Sequence, residues 1–369
     1  MAEASLHTVN QPLERRNAMS ATPPPALSAD QASGSDQHAS TPARLGTGKE
    51  DVVSYELDPE LAPAMAALAA QTAAAPGPAR GDWPAVRKTA SAGLAYMATL
   101  TPSSTGVRTA GYETRTLDGE DEIELRWYAK TGVATGSAVV YTHGGGMLAG
   151  SIDLYDELVF WYVAQTGVPF LSVGLRLAPE APTSTAMAED VLSAVIWLRE
   201  HSPYLDVDPR RIAVMGDSGG GGPTAGAAIL ARDRGIRLAK QVLVYPMLDD
   251  RNTTPGPIPE ALLTWGYDNN YTGWVTLLGD EIGTDTVSPV SAPARLAHFN
   301  GLPPTYIEVG DLDIFRDESI AYASGLARAG VPVELHVHPG APHGFERFVP
   351  EADVSRRAMT DRARAITTI

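Results

Sequence analysis

The chain of 369 residues contains no cysteine, which removes disulfide frameworks, thiolate metal sites and cysteine nucleophiles together. Any covalent chemistry must use another side chain. A positive balance is missing too: 28 Lys and Arg against 44 Asp and Glu leave a formal net charge of -16, with no basic patch in the sequence. That charge repels phosphate backbones and anionic lipid surfaces, so nucleic acid and membrane surfaces are not expected partners. No apolar run is long enough to span a bilayer, because the Ala-rich stretch after Leu61 is cut by Gln71 and Pro76. A Walker phosphate loop, a Gly-x-Gly-x-x-Gly with its ribose-binding acid and a His-Glu-x-x-His pair are all absent, so no cofactor and no metal is expected. The first residues carry no apolar signal core. Arg15 and Arg16 beside Met19 offer only a weak organellar address or an alternative start, and the expected location is the cytoplasm. Composition leaves the assembly open, a homodimer included.

What is present is an ordinary balance of 44% hydrophobic and 20% charged residues, enough to bury a sizeable core. Residues 1–50, rich in Ser, Thr, Pro, Ala and Gln, hold too few large apolar side chains to offset the entropy of ordering them, which predicts a disordered tail. Within residues 51–105, the spacing of Leu61, Met65, Leu68, Trp83, Val86, Leu94 and Met97 predicts two helices separated by Pro76, Gly77 and Pro78. Val107 to Leu117 and Glu122 to Tyr128 read as an antiparallel pair turned at Asp118 and Gly119. Apolar runs then alternate with helical patterns: Ala138 to Tyr141, Pro169 to Val173, Ile212 to Met215, Val242 to Tyr245, Tyr306 to Val309 and Val333 to Val337. This rhythm predicts an α/β fold with a mostly parallel central sheet flanked by helices. The clearest helix, Ala186 to Glu200, places Met187, Val191, Ala194, Val195 and Leu198 on its apolar stripe and leaves Glu189, Asp190 and Arg199 off it. Residues 248–287 break the rhythm and read as an inserted lid carrying Trp265, Tyr267, Tyr271 and Trp274.

Gly216, Asp217, Ser218, Gly219 and Gly220 follow a strand and precede a helix, the context of a nucleophile elbow. A chain that reverses so sharply strains the serine, and glycines on either side avoid the clashes that side chains would make. The same letters occur in chymotrypsin-like proteases. That reading is disfavoured by the strand and helix flanks, the absent cysteines and a His and Asp that follow the serine. His143, Gly144, Gly145 and Gly146 follow another strand, and successive glycines let backbone N–H groups converge on a small anion. Asp311, Asp313 and Asp317 all follow the strand at Tyr306, where open α/β sheets carry their sites, and any one of them could orient a base. His343 lies in a loop after the last strand, and the order Ser, Asp, His fits a triad on this fold. His336 and His338 alternate on one strand without a third metal ligand and read as an exposed edge pair. His7, His38, His201 and His298 are given no role.

These motifs resemble the hormone-sensitive-lipase-like family of bacterial and fungal carboxylesterases, within the α/β-hydrolase fold. Leu175 to Glu180 is similar to that family's Tyr-Arg-Leu-Ala-Pro-Glu, and Ser288, Pro289 and Gly301 to Pro304 also match its pattern, so the likeness runs from about Leu57 onward. The chain departs from the pattern at Leu175, at Gly219 where alanine is usual, and at Ile314 and Phe315 where Pro-Leu is usual. The resemblance implies Asp313 as the residue that orients the base, Asp311 being the alternative and Asp317 a helix cap. It implies that Gly145, Gly146 and Gly219 supply the oxyanion N–H groups. His143, Gly144, Gly216 and Asp217 would support the two motifs. It further implies that residues 51–105 and the insertion at 248–287 form a helical cap over a catalytic domain of residues 106–369, restricting the pocket to short acyl groups.

The expected enzyme is a serine carboxylesterase acting on a small-molecule ester, with Ser218 as nucleophile and His343 as base. Trp265, Tyr267 and Trp274 are candidates for its pocket wall. A histidine base must be neutral, so activity should fall as the pH drops through the region around 6 to 7 where an unperturbed histidine gains its proton. Amide or carbamate cleavage at the same site stays open. So does a silent ligand-binding protein on this scaffold, although plant hormone receptors that resemble the family have lost the base and His343 is retained.

Overall fold

The computed structural model of the protein describes residues 55–72 and 77–369; the tail expected at residues 1–50 lies outside them. Two helices open the described part, α1 (Ala62–Thr72) and α2 (Trp83–Leu100). Helix α2 starts where Asp82 accepts a hydrogen bond from the Ala85 N–H, with Pro84 in its first turn, where a missing N–H costs nothing. Strands β1 (Val107–Arg115) and β2 (Glu122–Lys130) then pair antiparallel around a turn in which Gly119 takes a positive φ.

From β3 (Gly136–Thr142) the chain alternates: α3 (Ile152–Thr166), β4 (Phe170–Val173), α4 (Ala186–His201), β5 (Val207–Asp217), α5 (Gly221–Asp233) and β6 (Gln241–Val244). A long excursion holding α6 (Tyr267–Leu278) leads to β7 (Thr305–Leu312), α7 (Arg316–Arg328), β8 (Val333–Pro342), the single turn α8 (Phe345–Phe348) and α9 (Asp353–Thr367). The eight strands form one sheet in the order β1-β2-β4-β3-β5-β6-β7-β8, parallel from β4 to β8.

Strand alternation sorts the core into two layers. Val140, Val214, Leu243 and Ile307 face α4, α5 and α7, while Val139, Met215, Val242 and Val309 face α3 and α9. Because both faces are covered, β4 and β6 are buried along their whole length. From β3 the chain steps to β4 on one side and returns to β5 on the other, so the order reverses between β3 and β5. Their ends emerge together there, Thr142 beside Gly216. A crevice outside the carboxyl ends of strands at such a reversal is where open α/β sheets bind ligands.

Two expectations need correction. Asp190 lies off the apolar stripe of α4, yet it is fully buried, because Arg176 reaches over with Nε at 3.0 Å and Nη2 at 2.7 Å from Oδ1. Of the expected exposed histidine pair, His338 is buried, its Nε2 3.8 Å from the buried Glu308, and only His336 is partly open, bonded to Glu334 at 2.6 Å.

Candidate active site

Strand β5 delivers Ser218 with φ at +55°, in the left-handed region that a β-substituted residue adopts only under constraint. The constraint is steric. A Cβ on Gly220 would lie 2.3 Å from the His143 carbonyl oxygen, and one on Gly216 would lie 2.2 Å from Thr224 Oγ1. The Ser218 carbonyl accepts the Met247 N–H at 3.0 Å, which fixes the bend from its other side.

Loop residue His343 follows β8 and turns its ring over the sheet edge. Its Nε2 stands 2.9 Å from Ser218 Oγ and its Nδ1 2.7 Å from Asp313 Oδ2. Asp313 is buried and accepts the Phe315 N–H at 2.9 Å through its other oxygen, so the carboxylate is held at both ends. The imidazole packs edge-on against Tyr245 and Phe315, at 4.6 and 5.2 Å between centroids, and Thr264 Oγ1 donates to the His343 carbonyl.

The other two aspartates do different work. Asp311 accepts the Gly340 N–H at 2.7 Å and so ties β7 to the end of β8; burial raises its pKa while that N–H opposes the rise. Asp317 was expected to cap α7, but it is exposed and paired with Arg316 at 2.7 Å, since the helix already begins at Arg316.

The loop His143–Gly146 emerges from β3 beside this elbow. A Cβ on Gly219 would sit 2.5 Å from the backbone nitrogens of both Gly146 and Met147, a measure of how closely those N–H groups approach the residue after Ser218. His143 is buried with Nδ1 3.0 Å from the Gly144 carbonyl oxygen, and its ring lies 5.7 Å from that of Tyr155. Burial lowers its pKa, which keeps it neutral in its place under the loop. Asp217 is buried beneath Ser218 and accepts the Tyr141 hydroxyl at 2.5 Å. Burial pushes its carboxyl up, with the Arg347 charge and the Tyr141 hydroxyl pulling down.

A cavity of about 360 Å³ opens onto Ser218, His343, Gly145 and Gly146, walled by α1, α2 and residues 260–265. Trp265 belongs to its lining and reaches Gly146, where an added Cβ would lie 2.4 Å from the indole. Tyr267 and Trp274 do not line it: Trp274 is fully buried against the body of the protein, and Tyr267 packs at the margin of the same core.

Residues 139–347 match the family model described as alpha/beta hydrolase fold. Carboxylesterase NlhH of Mycobacterium tuberculosis is 34% identical over 268 residues, covering 70% of this chain and 82% of the relative. The chain belongs to the hormone-sensitive-lipase-like α/β-hydrolases. An ethyl acetate hydrolase of Pseudomonas putida is 36% identical over 232 residues, 59% of this α/β-hydrolase and 70% of that relative. Among solved structures, a bacterial heroin esterase superposes with a TM-score of 0.75 at 34% identity, over 85% of this chain and 98% of that one.

Two arginines of this α/β-hydrolase escaped the sequence reading. Arg87 on α2 donates to the carbonyls of Leu148 at 2.7 Å and Ala178 at 2.6 Å and pairs with Glu180, tying the helix to the glycine loop and to the Leu-Ala-Pro-Glu segment. No motif marks it, since its partners are backbone atoms and an acid 93 residues away. Arg347 lines the cavity, and its one sequence signal is nearness to His343.

Proposed function

We propose that this chain hydrolyses short-chain carboxylic esters through an acyl-enzyme on Ser218. The chain is a carboxylic ester hydrolase, as are the relatives it resembles. In the proposed sequence His343 Nε2 removes the Ser218 proton as Oγ attacks the ester carbonyl carbon. Asp313 holds the Nδ1–H tautomer and stabilises the imidazolium. The N–H groups of Gly145, Gly146 and Gly219 receive the developing oxyanion, each worth on the order of 3 kcal/mol in the transition state. His343 then returns the proton to the leaving alkoxide, and a water activated by the same imidazole releases the acid and restores the hydroxyl. The observation that carries this reading is the unbroken relay of 2.9 Å and 2.7 Å from Ser218 through His343 to Asp313.

The short-chain part rests on the cavity. At about 360 Å³ it is near the lower end of small-molecule sites, and α1, α2 and the 260–265 segment wall it off as a cap would. The expected ranking of kcat/KM is p-nitrophenyl acetate and butyrate well above palmitate, with all three lost in Ser218→Ala. Preference for palmitate would overturn the short-chain assignment, and undiminished turnover in the Ser218 variant would overturn the nucleophile.

A further inference from the structure

Arg347 is a charged side chain buried in the wall of the catalytic cavity that makes no ion pair at contact distance among the described residues. It is 5% exposed, and its Nε and Nη2 are buried without a hydrogen-bond partner among the described residues. Of the neighbouring acids, Glu346 accepts from Tyr245 at 2.7 Å and from Arg362 at 3.1 Å through Oε1, while its Oε2 has no partner among the described residues, and Asp217 accepts from Tyr141. Glu260, the remaining acid of the lining, is exposed. What Arg347 does touch is the face of Tyr155, its guanidinium carbon 4.3 Å from the ring centroid. That ring positions the group without neutralising it.

Tyr155 also fixes where the charge lies. Its hydroxyl would stand 2.8 Å from a Cβ on Gly144, a point itself 3.1 Å from Ser218 Cβ, so the ring that Arg347 covers lies beside Ser218 in the wall of the cavity both residues line. Burial works against the guanidinium's charge, but the surrounding oxygens of Tyr155, Asp217 and Tyr245 more than offset this and its pKa is raised. What the guanidinium lacks among the described residues is a direct acceptor, and a ligand carboxylate would supply a charge-assisted one.

We propose that Arg347 selects esters carrying a free carboxylate in addition to the scissile ester group, the carboxylate pairing with its guanidinium. The inference rests on the esterase reading and names its substrate class: hemiesters of dicarboxylic acids, or esters of hydroxy acids. Both present the same anion to the same wall, from opposite sides of the cleaved bond.

The test compares isosteric pairs. On the acyl side, mono-p-nitrophenyl adipate is set against p-nitrophenyl hexanoate; on the alcohol side, p-acetoxybenzoate is set against p-cresyl acetate. In the unmodified enzyme, kcat/KM for the acidic ester exceeds that of its neutral partner by about tenfold or more in one of the two pairs, as a charge-assisted hydrogen bond predicts. In Arg347→Met that ratio falls to one or below, and in Arg347→Lys most of it is kept. A ratio at or below one in both pairs for the unmodified enzyme overturns the proposal, whether or not the variants fold. So does an acidic preference that survives Arg347→Met, which would leave Arg347 a counter-charge to Asp217. Failure of the esterase reading looks different: the neutral esters are then not turned over at all.

Discussion

At Ser218 the backbone stores strain so that one hydroxyl stands clear of its strand, and the glycines around it are the condition for that strain. Gly220 is the most sensitive, because an added methyl would meet two backbone carbonyls, those of His143 at 2.3 Å and Thr142 at 2.5 Å, neither of which has a rotamer to yield. Gly220→Ala is therefore expected to cost about 1–3 kcal/mol of stability by urea denaturation. It should also lower kcat, since the loop displaced is the one bearing Gly145 and Gly146. Unchanged stability and turnover would mean that the loop has slack the structure does not show. Residues under this kind of demand are legible in a sequence, as Gly216 to Gly220 and His143 to Gly146 were. The choice among Asp311, Asp313 and Asp317 was not, because three carboxylates in seven positions after one strand differ only in where the loop turns them. The structure puts Asp313 on His343 and leaves Asp311 on a backbone N–H and Asp317 on Arg316. Arg347 was less legible still, since an arginine near a motif is ordinarily solvated and only tertiary packing buries it.

Among the elements, periodicity located the eight strands and α4, although β5 begins at Val207 rather than Ile212 and β8 runs to Pro342 rather than Val337, because burial on one or two faces imposes a repeat of its own. Where there is no repeat, the sequence does not orient its side chains. Residues 248–287 offered four aromatics with nothing to orient them, and Trp274 turned out to be core while Trp265 meets the cavity. Asp190 misled for the opposite reason: helical spacing put it off the stripe, and a pairing with Arg176 from outside the helix buried it. Helix α2 is held by such non-local bonds. With Arg87 removed, α2 loses two carbonyl anchors and an ion pair, of which the exposed Glu180 contact counts for little. Arg87→Met is expected to raise KM for a short ester several-fold while changing kcat less, and to make residues 77–100 more open to limited proteolysis. A fall in kcat with KM unmoved would place Arg87 in support of the glycine loop rather than of the cavity wall.

Across the whole molecule, a buried ionic cluster ties α9 to the sheet, to α8 and to α3. Arg362 of α9 donates to Glu308 of β7, to Glu346 beside the His343 loop and to the Tyr162 hydroxyl of α3. Burial alone would raise the Glu308 pKa, but Arg362, His338 and Tyr306 reverse this and bring it down to about 2. A depressed carboxylate pKa stabilises the fold above its unfolded value, near 4.5, and that contribution disappears as pH falls through about 2. The expected result is an acid limb of stability between those two values in urea titrations. Arg362→Met should cost about 3–5 kcal/mol at neutral pH, by stranding a buried carboxylate, and should flatten that limb. A variant as stable as the unmodified chain at pH 7 would show that the cluster is not what joins α9 to the sheet. The fold class itself was legible from alternating strands and helices, whereas this cluster was not, because its members lie far apart in the chain and each reads alone as a surface charge.

The nucleophilic role proposed for Ser218, activated by an imidazole 2.9 Å away, is open to experiment. Its most direct measurement is labelling of the full chain with a fluorophosphonate, followed by digestion and peptide mapping. One phosphonate is expected, on the peptide carrying Ser218, with labelling lost in Ser218→Ala and strongly slowed in His343→Ala. A chain that stays unlabelled, or that carries its label on another residue, contradicts it.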